Sequence, residues 1–227
     1  MAYSKTFVCL SMALRERGRG VIGRTMEGEW VRPVSGRPGG AFFPGECACE
    51  DGQRPRTLDV ISIQFERPAG AECWRESHVV LGERWVKQGR IAFDEMVALA
   101  DPPDRMWGSP RTSNGGSNDV VSCREARESD RSAMLIAPEN LQIRVDVEGA
   151  VWPAKGVRAS FRHGGEPYSL RVTDELALLA FMDKGLGRYP LDAYLCVSLT
   201  QPSRIDGLCR MVVTGVLARE PIAGPES

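Results

Sequence analysis

The chain has 227 residues, 29 basic and 30 acidic side chains, a net charge of −1 and 42% hydrophobic residues. The charge balance excludes a generally basic nucleic-acid coat, and no apolar run approaches the roughly 18 residues of a membrane span, so no membrane contact is expected. The length suits one large β domain or two small ones, either able to bury a sizeable core. The apolar stretch 7–14 is too short for a secretory signal, and a cytoplasmic location is expected. Charge is unevenly spread: residues 1–45 hold seven basic side chains against three acidic ones. Arginine dominates over lysine, which suits phosphate and base-stacking contacts, although a GC-rich genome produces the same bias.

Short β-like runs separated by glycine, proline and asparagine turns fill the first half. Residues 5–10, 20–24, 29–34 and 57–65 read as strands, the last with alternating apolar positions, and 79–81 and 85–91 as shorter ones. A short helix is expected over 93–100, stopped by Asp101-Pro102-Pro103. Residues 101–131 have little periodicity and many turn signals, the mark of a linker or a long functional loop. The pattern restarts with strands at 133–137, 141–147, 157–162 and 168–172, the last two joined by a hairpin turn at 163–166. Thr173-Asp174 caps a helix over 175–182 whose apolar stripe is expected to hold Leu176, Leu179 and Ala180. Strands at 194–200 and 208–217 complete the half. The organisation expected is therefore a first lobe at 1–100, a connecting region at 101–131, a second lobe at 132–219 and a disordered tail at 220–227. Each half has about five strands and one helix, the element count of a five-stranded Greek-key OB barrel; one larger mixed sheet fits the periodicity nearly as well.

The stretch from Gly28 to Gly40 carries the strongest chemical signal. On a strand, Trp30 and Arg32 share a face while Val31 takes the other. An aromatic ring beside a guanidinium, followed by a glycine-proline loop with Arg37, suits a planar anionic ligand held by stacking and bidentate phosphate contacts. The alternative is a core tryptophan beside a solvated arginine. The segment Asn114–Asp119 offers amides and a carboxylate on a glycine loop, able to read base edges or simply to turn the chain. Trp74, Trp85, Trp107 and Trp152 sit near loops or strand starts, where one or two could be stacking platforms and the rest core. The candidate nucleic-acid contacts are Trp30, Arg32, Arg37, Arg24 and Asn114.

Catalytic and metal chemistry finds no comparable support. Nucleophile-elbow, phosphate-loop and His-Glu-x-x-His patterns are missing, and no cofactor motif is present. Seven cysteines scattered through apolar runs are not a disulfide framework. Cys47-x-Cys49 lacks a second knuckle, and with only two histidines no metal site is expected.

Lys5-Thr6-Phe7-Val8-Cys9-Leu10, then Gly28-Glu29-Trp30-Val31-Arg32-Pro33-Val34-Ser35 and Glu50-Asp51-Gly52, occur in a recognisable order. Pro138-Glu139-Asn140-Leu141, Val172-Thr173-Asp174 and Leu195-Cys196-Val197-Ser198-Leu199 continue it. Together these segments resemble the dual OB-containing domain family over about residues 4–217, with Trp-Val-Arg-Pro-Val-Ser the most specific part. The resemblance implies a mainly β protein of two OB-like five-stranded barrels with short helices, and by fold-level analogy a nucleic-acid ligand. A non-catalytic nucleic-acid-binding module is the expected function. Two alternatives stand beside it: an enzyme or enzyme subunit acting on nucleic acid or nucleotides, with Asn114, Asp119 and Asp174 as polar site residues, and an adaptor that holds a partner protein.

Overall fold

A computed structural model describes residues 2–15, 18–70, 73–82, 84–102, 104–108, 110–149, 152–220 and 222. The first lobe comprises β1 (Tyr3–Arg15), β2 (Gly18–Arg24), β3 (Trp30–Val34), β4 (Asp59–Pro68), β5 (Ser77–Val80) and β6 (Val86–Arg90). Pairing runs β1-β2-β3-β5-β4 and returns to β1, with β3 and β5 parallel and β6 added to the outside of β4. The alternation in β4 sends Ile61, Ile63 and Phe65 into the ring, where they meet Phe7, Cys9, Val21, Val31 and Trp85. The expected helix over 93–100 is a 3-10 helix, Phe93–Ala98.

The second lobe comprises β7 (Val120–Ser122), α1 (Cys123–Glu128), β8 (Ala133–Ile136), β9 (Glu139–Glu148), β10 (Ala154–His163), β11 (Glu166–Val172), α2 (Glu175–Met182), β12 (Gly187–Pro190), β13 (Ala193–Leu199) and β14 (Leu208–Ala218). Its sheet runs β12-β9-β10-β11-β14-β13-β8, and β7 pairs with β14. Within it, β9-β10-β11-β14-β13 repeats the order of the first lobe, including the parallel third and fifth strands. The ring stays open here, because β12 occupies the edge of β9 and β8 the edge of β13.

The sheets number two, each with OB strand order, rather than one mixed sheet. The 101–131 stretch is more structured than its composition suggests. β7 fastens to β14, and Ser122 and Glu125 form a reciprocal capping box that starts α1. Helix α2 begins under Asp174, whose Oδ1 accepts the Ala177 amide at 2.8 Å. The apolar stripe expected on it is corrected: Ala177, Ala180 and Phe181 are buried, while Leu176 and Leu179 face solvent. Phe181 packs against Tyr189, on the side of the helix that faces the second sheet. Apart from residues 220 and 222, the tail lies outside the described residues.

A third cluster of buried side chains joins the lobes. Val8, Leu10, Ile22 and Trp30, from the outer side of the first ring, pack with Ala133, Leu135, Cys196 and Leu217 of the second sheet. Strand β1 is thus buried on both faces, which is why it reads as an unbroken apolar run instead of alternating. Its backbone lies so close to β14 that a Cβ on Gly215 would sit 2.0 Å from the Leu10 carbonyl oxygen. Ser11 Oγ donates to the Thr214 carbonyl at 2.7 Å, and the Leu14 amide donates to the Thr173 carbonyl at 2.8 Å. With a shared core, the lobes should unfold in one cooperative transition. Gly215→Ala should lower stability by about 3 kcal/mol or more, since backbone must move to admit one methyl group. Denaturant titration followed by circular dichroism checks both; two separable transitions, or an unaffected midpoint in Gly215→Ala, contradict the shared core.

Candidate functional site

Trp30 and Arg32 share a face of β3, and Val31 points into the ring. That face is covered by the second lobe. Trp30 is 7% exposed and Arg32 1%. The Arg32 guanidinium donates from Nε to Glu76 at 3.0 Å, and from Nη2 to Ser132 Oγ at 2.8 Å and Ser198 Oγ at 2.9 Å. Arg24 lies over Trp30 and donates to the Leu99 carbonyl and to Asp101, a buried carboxylate that also receives Arg131 and the Leu135 amide. Arg24, Trp30 and Arg32 therefore come together as an inter-lobe seam. Arg37 is exposed on the loop after β3, ion-paired with Glu46 and stacked on Phe43. Asn114 is exposed on the loop that precedes β7.

The second sheet leaves an outer face open, and register organises it. Arg188 of β12 lies directly opposite Arg144 of β9, Arg144 opposite Arg158 of β10, and Arg158 opposite Arg171 of β11. Directly opposed residues point to the same face, so four arginines form a row across four strands, about 14 Å long at the usual strand spacing. Beside it runs a neutral polar row, Gln142, Ser160 and Ser169, continued by Ser117, which bridges to Ser169 from the 110–119 loop. Like charges in opposed positions repel, and carboxylates interleave to hold them. Asp146 accepts Arg144 at 2.5 Å, and Glu148 accepts Arg158 at 2.5 Å and approaches Arg171 at 3.8 Å. Gly156 makes this possible: a Cβ there would be 2.5 Å from the Glu148 carboxyl carbon. Arg188 and the nearby Arg162 are exposed and have no ion pair among the described residues.

The profile of the dual OB-containing domain matches residues 5–216, nearly the whole chain. The chain belongs to the dual OB-containing domain family. No curated protein and no solved structure matches it. Within this family member the two OB-ordered sheets differ in what they leave open. The β2–β3 side of the first lobe is closed by the second lobe, whereas the corresponding β10–β11 side of the second is crossed only by the 110–119 loop, which buries Ser169 and sets Asp119 3.7 Å from Arg158, and it leaves Arg171 and Arg188 exposed.

At the turn between β9 and β10, Trp152 is 86% exposed. Trp85 and Trp107 are buried, and Trp74 is wedged at the seam with its Nε1 donating to the Leu199 carbonyl. Asp119 accepts the Ser113 amide and hydroxyl, fastening the loop that carries Asn114. Cys47 and Cys49 are buried among Phe42 and Trp85. Burial, reinforced by the Glu46 charge, pushes the Cys47 thiol up to about 12. Among the described residues no group of three or more histidine, cysteine or carboxylate side chains is placed to share a metal ion, and no helix is long and apolar enough to cross a membrane.

Asp174 sits at the seam, where β1 bridges to it at Ala13. Burial raises its carboxyl to about 6 despite the amides of Ala177 and Val216 that donate to it, and the Glu175 charge adds to the rise. A raised acid pKa means that the folded chain holds the proton more tightly than the unfolded one. Asp174 therefore contributes stability below pH 4 that is lost as pH rises through 6. Between pH 4 and pH 7 the unfolding free energy of the wild type, relative to Asp174→Asn, should fall by about 2 kcal/mol. A difference that stays flat with pH contradicts this. Trp30→Ala should cost about 3–5 kcal/mol by opening a cavity in the seam, read as a lowered melting temperature; an unchanged melting temperature would show that the ring is not a packing residue.

Proposed function

We propose that this protein is a non-catalytic nucleic-acid-binding module that takes a single-stranded or structured nucleic acid on the outer face of the second sheet. The observation that carries the reading is the register of Arg188, Arg144, Arg158 and Arg171 across four adjacent strands. A strand of phosphates laid across the sheet meets the guanidinium groups of Arg188, Arg144 and Arg171, each able to donate in bidentate fashion, while Arg158 is held below them by Glu148 and Asp119 and adds its charge. Gln142 and Ser160, both part-exposed, supply donors and acceptors for sugar or base edges beside it, while Ser169 lies buried beneath Ser117. OB folds that bind oligonucleotides use this strand 2–3 face and the loop between strands 1 and 2, and in this chain that loop holds the exposed Trp152. Arg37 and Asn114, both exposed, are further candidate contacts. Arg24, Trp30 and Arg32 are assigned to the seam that holds the lobes together.

Because Asp146 and Glu148 already neutralise part of the row, the ligand must displace them. Binding should accordingly be weak at physiological salt and measurable at low salt. Fluorescence anisotropy with labelled single-stranded DNA, single-stranded RNA and a duplex provides the test. Arg171→Ala and Arg188→Ala should weaken binding and each flatten the log–log salt slope by roughly 0.7–0.9. Trp152→Ala should lose about 1–3 kcal/mol, the worth of one base stack, with the salt slope intact. Wild-type protein that binds none of the three at low salt would remove this reading and leave the partner-protein adaptor.

A further inference from the structure

Two guanidinium groups pack on the ring of Trp74, with Arg32 4.5 Å and Arg15 4.6 Å from its centroid. The two arginines are treated very differently. Arg32 is saturated by Glu76, Ser132 and Ser198. Arg15, at the end of β1, makes one long contact from Nη1 to the Gly39 carbonyl at 3.4 Å and no ion pair among the described residues. Yet its guanidinium is held in place. It packs against the Gly20 backbone, where a Cβ would be 2.2 Å from Nε and 2.6 Å from Nη2, as well as against Trp74. The residue is half-buried, at the edge of the loop whose Gly39 carbonyl it approaches. An arginine fixed by its neighbours with its donor edge unmet is a preorganised fork for an oxyanion.

We propose that Arg15, set against Trp74 and Gly20 beside the glycine-proline loop 35–40, is the receptor of an oxyanion site on the first lobe. The ligand it fits is a phosphate or carboxylate group that accepts two parallel N–H bonds. Burial and the Arg32 charge pull the Arg15 guanidinium down to about 9, the direction expected of a cation short of a counter-anion. The site lies on the first lobe and does not rest on the nucleic-acid reading of the second sheet.

The experiment is a titration with inorganic phosphate, and separately with acetate, at fixed ionic strength maintained by sodium chloride. Tryptophan fluorescence and calorimetry report binding to the wild type and to Arg15→Gln and Arg15→Lys. Saturable binding of either anion that weakens at least tenfold in Arg15→Gln, and substantially in the fork-less Arg15→Lys, supports the proposal, and the tighter anion names the group. No saturable response in the wild type, or an equal one in Arg15→Gln, overturns it. If neither variant folds, the wild-type Nε–H resonance of Arg15 decides: it must shift with anion more than the other arginine side chains, and failure to do so overturns the proposal. Arg171→Ala with Arg188→Ala should leave the phosphate response unchanged; its loss would assign the response to the second sheet and overturn the site at Arg15.

Discussion

The approach of β1 to β14 governs this protein. At Gly215 the two backbones are too close for a side chain, and that contact presses the outer side of the first ring onto the second sheet. Val8 and Leu10 then find a core on the outside of their own barrel as well as the one that Phe7 and Cys9 fill within it. The polar groups caught between the lobes are paired in turn. Arg24 meets Asp101, Arg32 meets Glu76, and Arg19 of β2 grips Glu175 at the start of α2. Removing one member of such a pair leaves a charge short of its partner, so the seam is stiff as well as apolar.

That seam also explains which parts of the chain could be read from its residues. Strands with one face in water announce themselves, as β4 does with Ile61, Ile63 and Phe65. The cap at Asp174 was equally legible, because an N-cap is a local bond. The Ser-x-x-Glu pattern at Ser122 and Glu125 is the same kind of local signal, but the turn-rich composition around it makes the segment read as a loop. The cover over Trp30 and Arg32 was not legible. Strand parity puts the pair on one face, but nothing local says whether water or a second lobe lies there. The arginine row was half legible: each of Arg144, Arg158 and Arg171 stands between buried apolar neighbours and so must point outward. Their alignment with each other and with Arg188 depends on register, which hairpin geometry sets far from the arginines themselves.

The arginine row is a source of strain in the sheet as well as the proposed site of binding. Opposed arginines on adjacent strands would push the sheet apart at their end of the face were it not for Asp146 and Glu148. Glu148 reaches two of the four because Gly156 clears a path for it across β10. On the proposed reading, an arriving phosphate strand would do the same electrostatic work as these carboxylates, so that binding would exchange counter-ions within the site as well as in solution.

The covered face of the first lobe has one more consequence. Two folds of the same strand order on one chain invite the expectation of a bivalent clamp, in which each lobe holds part of a long ligand and avidity multiplies two weak affinities. Here the first lobe uses its β2–β3 side as the socket for the second. If the ligand lies on the outer face of the second sheet as proposed, affinity should saturate once it spans that sheet, and lengthening it beyond that should add statistical binding positions without adding a second grip.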